Sequence, residues 1–225
     1  MTEEGRGHAP TNPEVAFALG SAPEAARPGL HALWAVDEAL GKVLATGREP
    51  MVSRIRLAWW REALERLDRE PPLKEPVLQG VAAYLLPAGM AGAELAAMED
   101  GWLAVLGDEP IEQEALDLYA ARRGGLLFTF GARLLGGSPD RINEAGEAWA
   151  LVDLARHSTE THDINAALSA SRQRRLPSRW PRPLRPLGML AVLADRDRRR
   201  ATGQLEPPGT PPRIARMLRH RLTGW

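Results

Sequence analysis

The chain is predicted to fold as an all-α protein, on three grounds. Ala, Leu, Arg and Glu are abundant while Ile, Val, Tyr and Phe are scarce, and straight-chain residues lose little rotamer freedom in a helix. Apolar residues recur at helical spacings of three, four and seven, as at Leu30, Leu33, Trp34, Leu40 and Leu44. No segment alternates apolar and polar residues as a half-buried strand does.

Residues 1–12 are polar and read as a disordered tail. A short helix starts near Pro13, and a longer one over about 22–46 has Pro28 near its start and ends at Gly47 and Pro50. Residues 51–69 form an amphipathic helix stopped by Pro71 and Pro72. Helices follow at about 77–86 and 90–106, then a long one over 112–135, relaxed by Gly124, Gly125 and Gly131. Ser138-Pro139-Asp140 signals a helix start, and a single helix is expected from 140 to about 170. The Pro- and Arg-rich stretch 171–186 cannot be helical throughout. Helices return over 187–200 and 213–222, with a loop at 202–212 between them. Eight or so helices with nothing else must bury their faces against one another, giving one domain over 13–200 whose ligand site would lie between facing helices. Residues 201–225 form a basic C-terminal segment.

Apolar residues make up 44% of the chain and charged residues 26%, a globular balance. The absence of cysteine excludes disulfides, thiolate metal sites and a Cys nucleophile. The N-terminus lacks the pattern of a secretory signal and no run reads as a membrane span. The expected location is therefore cytoplasmic, with peripheral attachment to the inner membrane left open. A net charge of zero hides an asymmetry: residues 1–171 carry 15 Lys/Arg against 26 Asp/Glu, and residues 172–225 carry 14 Arg against 3 acids. Either the basic end packs on the acidic body, or it meets an anionic membrane surface through Arg213, Arg216, Arg219 and Arg221, with Trp225 near the interface. Nucleic acid is disfavoured, because this end lacks interleaved aromatics.

Two places carry chemistry. Asp37 lies on the apolar stripe, three residues after Trp34, where an unpaired carboxylate would cost several kcal/mol or protonate. An internal salt bridge to an arginine such as Arg56 or Arg61 would satisfy it, and so would a metal ion. Over Trp149 to Asp163, a continuous helix places Asp153, Arg156, His157, Glu160 and Ile164 on one side. Such a run is either a solvated face laced with ion pairs or the wall of a cavity. Seven tryptophans are many, and Trp34, Trp59, Trp102 and Trp149 occupy positions suited to core packing.

Taken in order, these stretches resemble the squalene/phytoene synthase superfamily. Ala35-Val36-Asp37-Glu38 stands where the family's first acidic motif begins, and Leu57-Ala58-Trp59-Trp60-Arg61-Glu62-Ala63-Leu64 is similar to its tryptophan helix. Met98-Glu99-Asp100, Tyr119 with Gly124-Gly125, Gly146 to Arg156, and Arg175-Leu176-Pro177 match later landmarks. The resemblance implies an isoprenoid-synthase-like helical bundle with a central apolar cavity. In active members, carboxylates of two motifs hold Mg²⁺ ions that bind the diphosphates of two prenyl substrates, which then join head to head. It points to Asp37, Glu38, Asp153 and Glu160 as remnants of those motifs, with Asp37, Asp153 and Glu160 as metal candidates. It also points to Arg156, Tyr119, Trp34 and Trp60 as substrate contacts.

The metal signature is eroded. Gly41 stands where the first motif's last acid belongs, His157 follows Arg156 in place of Asp, and Thr161 replaces the final acid. The stretch after the second motif reads as shortened, with the Pro/Arg loop in place of closing helices. The sequence therefore looks like a degenerate branch, similar to the complex I assembly factor type and its bacterial relatives. That implies a non-catalytic protein with no cofactor that binds an apolar or prenylated ligand or a protein partner, with respiratory-complex assembly as one such role. The alternative is a working Mg²⁺-dependent prenyl-diphosphate transferase. The geometry around residues 37 and 153 discriminates them: converging carboxylates at a wet pocket would revive metal chemistry, whereas Arg156 or Arg123 filling that space would not.

Overall fold

A computed structural model describes residues 10–47, 49–107, 110–137, 140–200 and 205–225. Among them every regular element is helical: α1 (Pro13–Gly20), α2 (Arg27–Thr46), α3 (Pro50–Arg66), α4 (Pro76–Gly80) running into a π turn (Val81–Leu85), α5 (Gly92–Ala96), α6 (Glu99–Ala104), α7 (Gln113–Tyr119), a second π turn (Ala120–Gly125), α8 (Leu126–Leu134), α9 (Ile142–His157), α10 (Thr161–Arg172), α11 (Arg185–Arg198) and α12 (Pro211–Thr223). Short 3₁₀ turns precede α2 and α11.

Local chemistry explains several boundaries. Asn12 caps α1 by accepting the N–H groups of Glu14 and Val15, with Pro13 at the first helical position. Thr11 is bonded to Glu38 on α2, so the expected tail is fixed from that point on; residues 1–9 lie outside the described residues. Glu75 caps α4 through the N–H of Leu78.

Three expected helices are subdivided. The 90–106 helix breaks between Ala96 and Glu99. The 112–135 helix keeps its course but widens over 120–125, where the N–H of Leu126 bonds to the carbonyl of Ala121, five residues back. The 140–170 helix ends at His157, because Ser158 turns extended (φ −78°, ψ 143°) and its hydroxyl bonds back to the Leu154 carbonyl. A new helix begins after Glu160. The start signal expected at 138–140 falls partly on residues outside the described set, and α9 itself begins at Ile142.

The core is continuous. Leu30, Leu33, Trp34 and Leu40 of α2 are all at most 2% exposed, and they belong to one buried cluster with Leu57 and Leu64 of α3, Phe128 of α8, Leu151 of α9 and Leu187 of α11. A close helix crossing brings the second π turn against α9. A Cβ at Gly124 would stand 2.1 Å from the Gly146 carbonyl oxygen, and one at Gly146 would stand 2.1 Å from that of Gly124. Glycine at both positions lets the two backbones touch, and that contact carries residue 123 to the face of α9.

The C-terminal segment is part of the body. Packed on α11, helix α12 buries Arg213, Met217 and His220, spaced i, i+4, i+7. Arg213, expected to face lipid, is 2% exposed: Glu14 accepts its Nε (2.6 Å) and Nη2 (2.8 Å), and Asp197 accepts its Nη1 (2.7 Å). Arg174 likewise pairs with Asp117 and Glu147. Much of the basic end thus neutralises acids of the same chain.

Candidate functional site

Asp37 faces inward from the middle of α2 and is 2% exposed. Its partner is neither Arg56 nor Arg61 but Arg123, on the second π turn. The guanidinium donates from Nε to Oδ1 (2.8 Å) and from Nη2 to Oδ2 (2.9 Å), a bidentate pair. The indole N–H of Trp102 donates to the same Oδ1 (3.2 Å). On its other side, Arg123 Nη1 lies 2.7 Å from Oδ2 of Asp153, on α9, and it also bonds to the Tyr119 hydroxyl one turn back. One arginine therefore bridges the two acidic stretches.

Aromatic rings enclose this cation. Arg123 Cζ lies 4.2 Å from the ring centre of Trp102, 5.0 Å from that of Trp149 and 5.4 Å from that of Tyr119. Trp102 and Tyr119 meet edge to face at 5.5 Å, as do Trp34 and Trp149 at 6.5 Å. Burial alone would push the Arg123 guanidinium down, but Asp37, Tyr119 and Asp153 outweigh it and hold the group well above its ordinary value. Burial likewise pushes the Tyr119 hydroxyl up, so the phenol stays neutral.

The space where the last acid of the first motif would project is filled as well. A Cβ on Gly41 would stand 2.8 Å from Cη2 of Trp102. Trp34, Tyr119, Phe128 and Trp149 occupy the interior between α2 and α9. A concavity lined by Trp149, Asp153, Arg156, Asp197 and Arg213 has a volume of about 20 Å³, room for about one water molecule.

Of the expected remnants, Asp37 and Asp153 come together, but around Arg123. Glu38 points to the chain's N-terminal side, where its Oε1 accepts the backbone N–H (2.8 Å) and hydroxyl (3.0 Å) of Thr11. Glu160 stands exposed at the N-cap of α10, because the helix break removes it from the face it was expected to share with Asp153. His157 is exposed, its Nδ1 lying 2.8 Å from the Asp153 carbonyl oxygen. Among the described residues no group of three or more His, Asp and Glu is placed to hold a metal ion.

The expected substrate contacts divide in the same way. Tyr119 and Trp34 are in the core at the cluster, whereas Trp60 is half-buried against Trp59 (5.0 Å) and Trp59 is 44% exposed rather than packed inside. Arg156 turns away toward α11, donating to Asp197 Oδ2 (2.5 Å) and to the Glu206 carbonyl (2.9 Å). Arg61 of the tryptophan helix binds Glu99 through Nε (2.9 Å) and Nη2 (2.7 Å) and also contacts Asp100, so that helix and the Met98-Glu99-Asp100 stretch lock together. The buried network of Glu14, Arg213, Asp197 and Arg156 went unread in the sequence; the i, i+4, i+7 spacing of Arg213 with Met217 and His220 was the available signal.

The family profile described as squalene/phytoene synthase matches residues 11–174. This chain belongs to that family. No curated protein matches the sequence. A crystal structure of a dehydrosqualene synthase in complex with ligand is similar at a TM-score of 0.67 with 12% sequence identity, covering 94% of this chain and 91% of the other. At that identity the likeness establishes the isoprenoid-synthase helical fold. The structural likeness extends beyond residue 174, into the C-terminal part of the chain.

Proposed function

We propose that this chain is a non-catalytic member of the squalene/phytoene synthase family, in which an internal cation has replaced the metal ions. The observation that carries this reading is the placement of Arg123: it takes a bidentate pair from Asp37 and a third contact from Asp153, the two carboxylates that a metal-bound diphosphate would need. Mg²⁺ demands near-octahedral oxygen coordination and usually keeps several waters. The donors at Asp37 and Asp153 are turned to a guanidinium, three aromatic rings surround that guanidinium, and Glu38 and Glu160 are directed elsewhere. These residues do not fit the ion.

What remains is a binding role. The aromatic side chains between α2 and α9 favour recognition at the surface, by a protein partner or a membrane, over an enclosed prenyl chain. Assembly of a respiratory complex is a role of this type.

The test is diphosphate release from farnesyl or geranylgeranyl diphosphate with Mg²⁺, together with calorimetry of Mg²⁺ and inorganic diphosphate. Neither turnover nor heat of binding is expected. Turnover that disappears in Asp37→Ala would replace this reading with a working transferase.

A further inference from the structure

We infer that the outer face of α12, together with Trp225, is a docking surface for a bilayer containing anionic lipid. The inner face of this helix is fixed: Arg213, Met217 and His220 are buried against the body, so which side chains point outward is determined by the 100° helical step. Opposite them lie Ala215, Leu218 and Leu222, the leucines being 42% and 77% exposed. Exposed arginines flank this stripe, Arg219 on one side and Arg221 on the other, and among the described residues neither has an acidic partner.

The end of the helix is held in the same attitude. Arg185 donates to the carbonyls of Arg221 (2.9 Å) and Leu222 (2.8 Å), and the Trp180 N–H bonds to the Gly224 carbonyl (3.0 Å). Trp225 then stands 59% exposed, with Arg179 over its ring at 5.7 Å.

The charge pattern selects the occupant. Neither 175–194 nor 207–225 contains an acidic residue, and the three acids of the C-terminal part are each held by arginines: Asp195 by Arg198 and Arg199, Asp197 by Arg156 and Arg213, Glu206 by Arg196 and Arg200. An apolar stripe flanked by cations and ending in an amphipathic indole is the pattern of a helix lying in a lipid interface. No helix among the described residues is long and apolar enough to cross a membrane, so the contact is with the surface alone. Leu218, Leu222 and Trp225 enter the acyl boundary while Arg219 and Arg221 meet lipid phosphates. This surface is independent of the Arg123 cluster, and its test does not depend on whether the chain is catalytic.

The experiment is co-sedimentation of the full chain with vesicles of phosphatidylcholine, with and without phosphatidylglycerol, at low and high salt. Binding is expected only with phosphatidylglycerol and is expected to weaken as salt rises. Removing two surface cations in Arg219→Gln/Arg221→Gln should weaken it on the order of 30-fold. Arg219→Lys/Arg221→Lys should keep it, and Leu218→Ser/Leu222→Ser should lower it roughly tenfold or more. All these side chains are exposed, and circular dichroism confirms that each variant is folded. Quenching of indole fluorescence by brominated lipid should be lost in Trp225→Phe. Equal sedimentation with neutral vesicles, or binding undiminished in both double variants, would overturn the proposal. So would a concentration-dependent dimer that Leu218→Ser/Leu222→Ser dissolves in the absence of vesicle binding, which would assign the face to a second copy of the chain.

Discussion

Removing the charge of Arg123 while keeping its stem, as in Arg123→Met, isolates what the guanidinium does. The substitution leaves Asp37, whose side chain is 3% exposed, without its bidentate partner, and Asp153, at 13%, without its contact. Breaking a buried pair by deleting one member costs about 3–5 kcal/mol, because the remaining charge stays buried and uncompensated. The loss should fall toward the upper part of that range for Asp37 and be milder for Asp153, which water can reach. In a chain of this size that corresponds to a fall in Tm of roughly 10 °C. Urea and thermal melts on wild type, Arg123→Met, and the triple variant Asp37→Asn/Arg123→Met/Asp153→Asn give the answer. Once all three charges are gone no buried charge is left uncompensated, so the triple variant should recover part of the loss, the remainder being the cost of the buried amide at position 37. A single variant within about 1 kcal/mol of wild type, or a triple variant no better than the single, would refute the claim that Arg123 neutralises the two acids.

Four further outcomes follow from the same geometry. Gly41→Asp should destabilise the chain by about 3 kcal/mol or more in denaturant melts, because its Cβ would stand 2.8 Å from the rigid Trp102 ring. Gly146→Ala should cost several kcal/mol by the same measurement, since the obstacle is the Gly124 carbonyl oxygen at 2.1 Å and backbone cannot rotate away. Burial, reinforced by Arg185 and Arg216, pushes the His220 imidazole down to about 4, so the unfolded chain takes up the proton first; stability should fall by about 1.4 kcal/mol per unit as pH drops from about 6.5 toward 4, and His220→Asn should flatten that slope. Burial would raise the Glu14 carboxyl, but the bonds from Arg213 and the Gly209 N–H outweigh it and hold the group below its ordinary 4.5; the pair's contribution is complete above that pH and lost below it, so the stability gap between wild type and Arg213→Met should narrow in acid.

Asp37 was legible in the sequence because a carboxylate on an apolar stripe announces its own cost, and a helical period suffices to see it. Its partner was not legible, since Arg123 lies 86 residues away and periodicity says nothing about which helices meet. A local hint existed: Tyr119, Arg123 and Leu127 are spaced by four and all are buried, so the arginine sits on the apolar side of its own helix. Glu160 was misplaced for a different reason. The 3.6-residue period was carried through Ser158 and Thr159, where a hydroxyl competing for the backbone ended the helix and reset the phase. Arg213 was read from charge alone as a surface group, although its spacing to Met217 and His220 marked a buried face. Helical content is legible in each case, whereas a helix break, its phase and the pairing between helices are settled only by packing and local backbone competition.

The three features on which the proposed loss of metal binding rests depend on one another. Trp102 is the common member: its ring covers Gly41, its indole N–H bonds to Asp37 and its face stacks on Arg123 at 4.2 Å. Restoring an acid at 41 alone drives it into the ring; removing Arg123 alone strands two buried carboxylates; removing Trp102 alone opens a void beside an ion pair that is then more exposed to water. Each step toward a metal-binding arrangement is therefore destabilising unless the other two accompany it, so the arginine-bridged state is locally stable against single substitutions. With Arg123 in place, Asp37 is required as its counter-ion, so a carboxylate at 37 has a structural reason of its own.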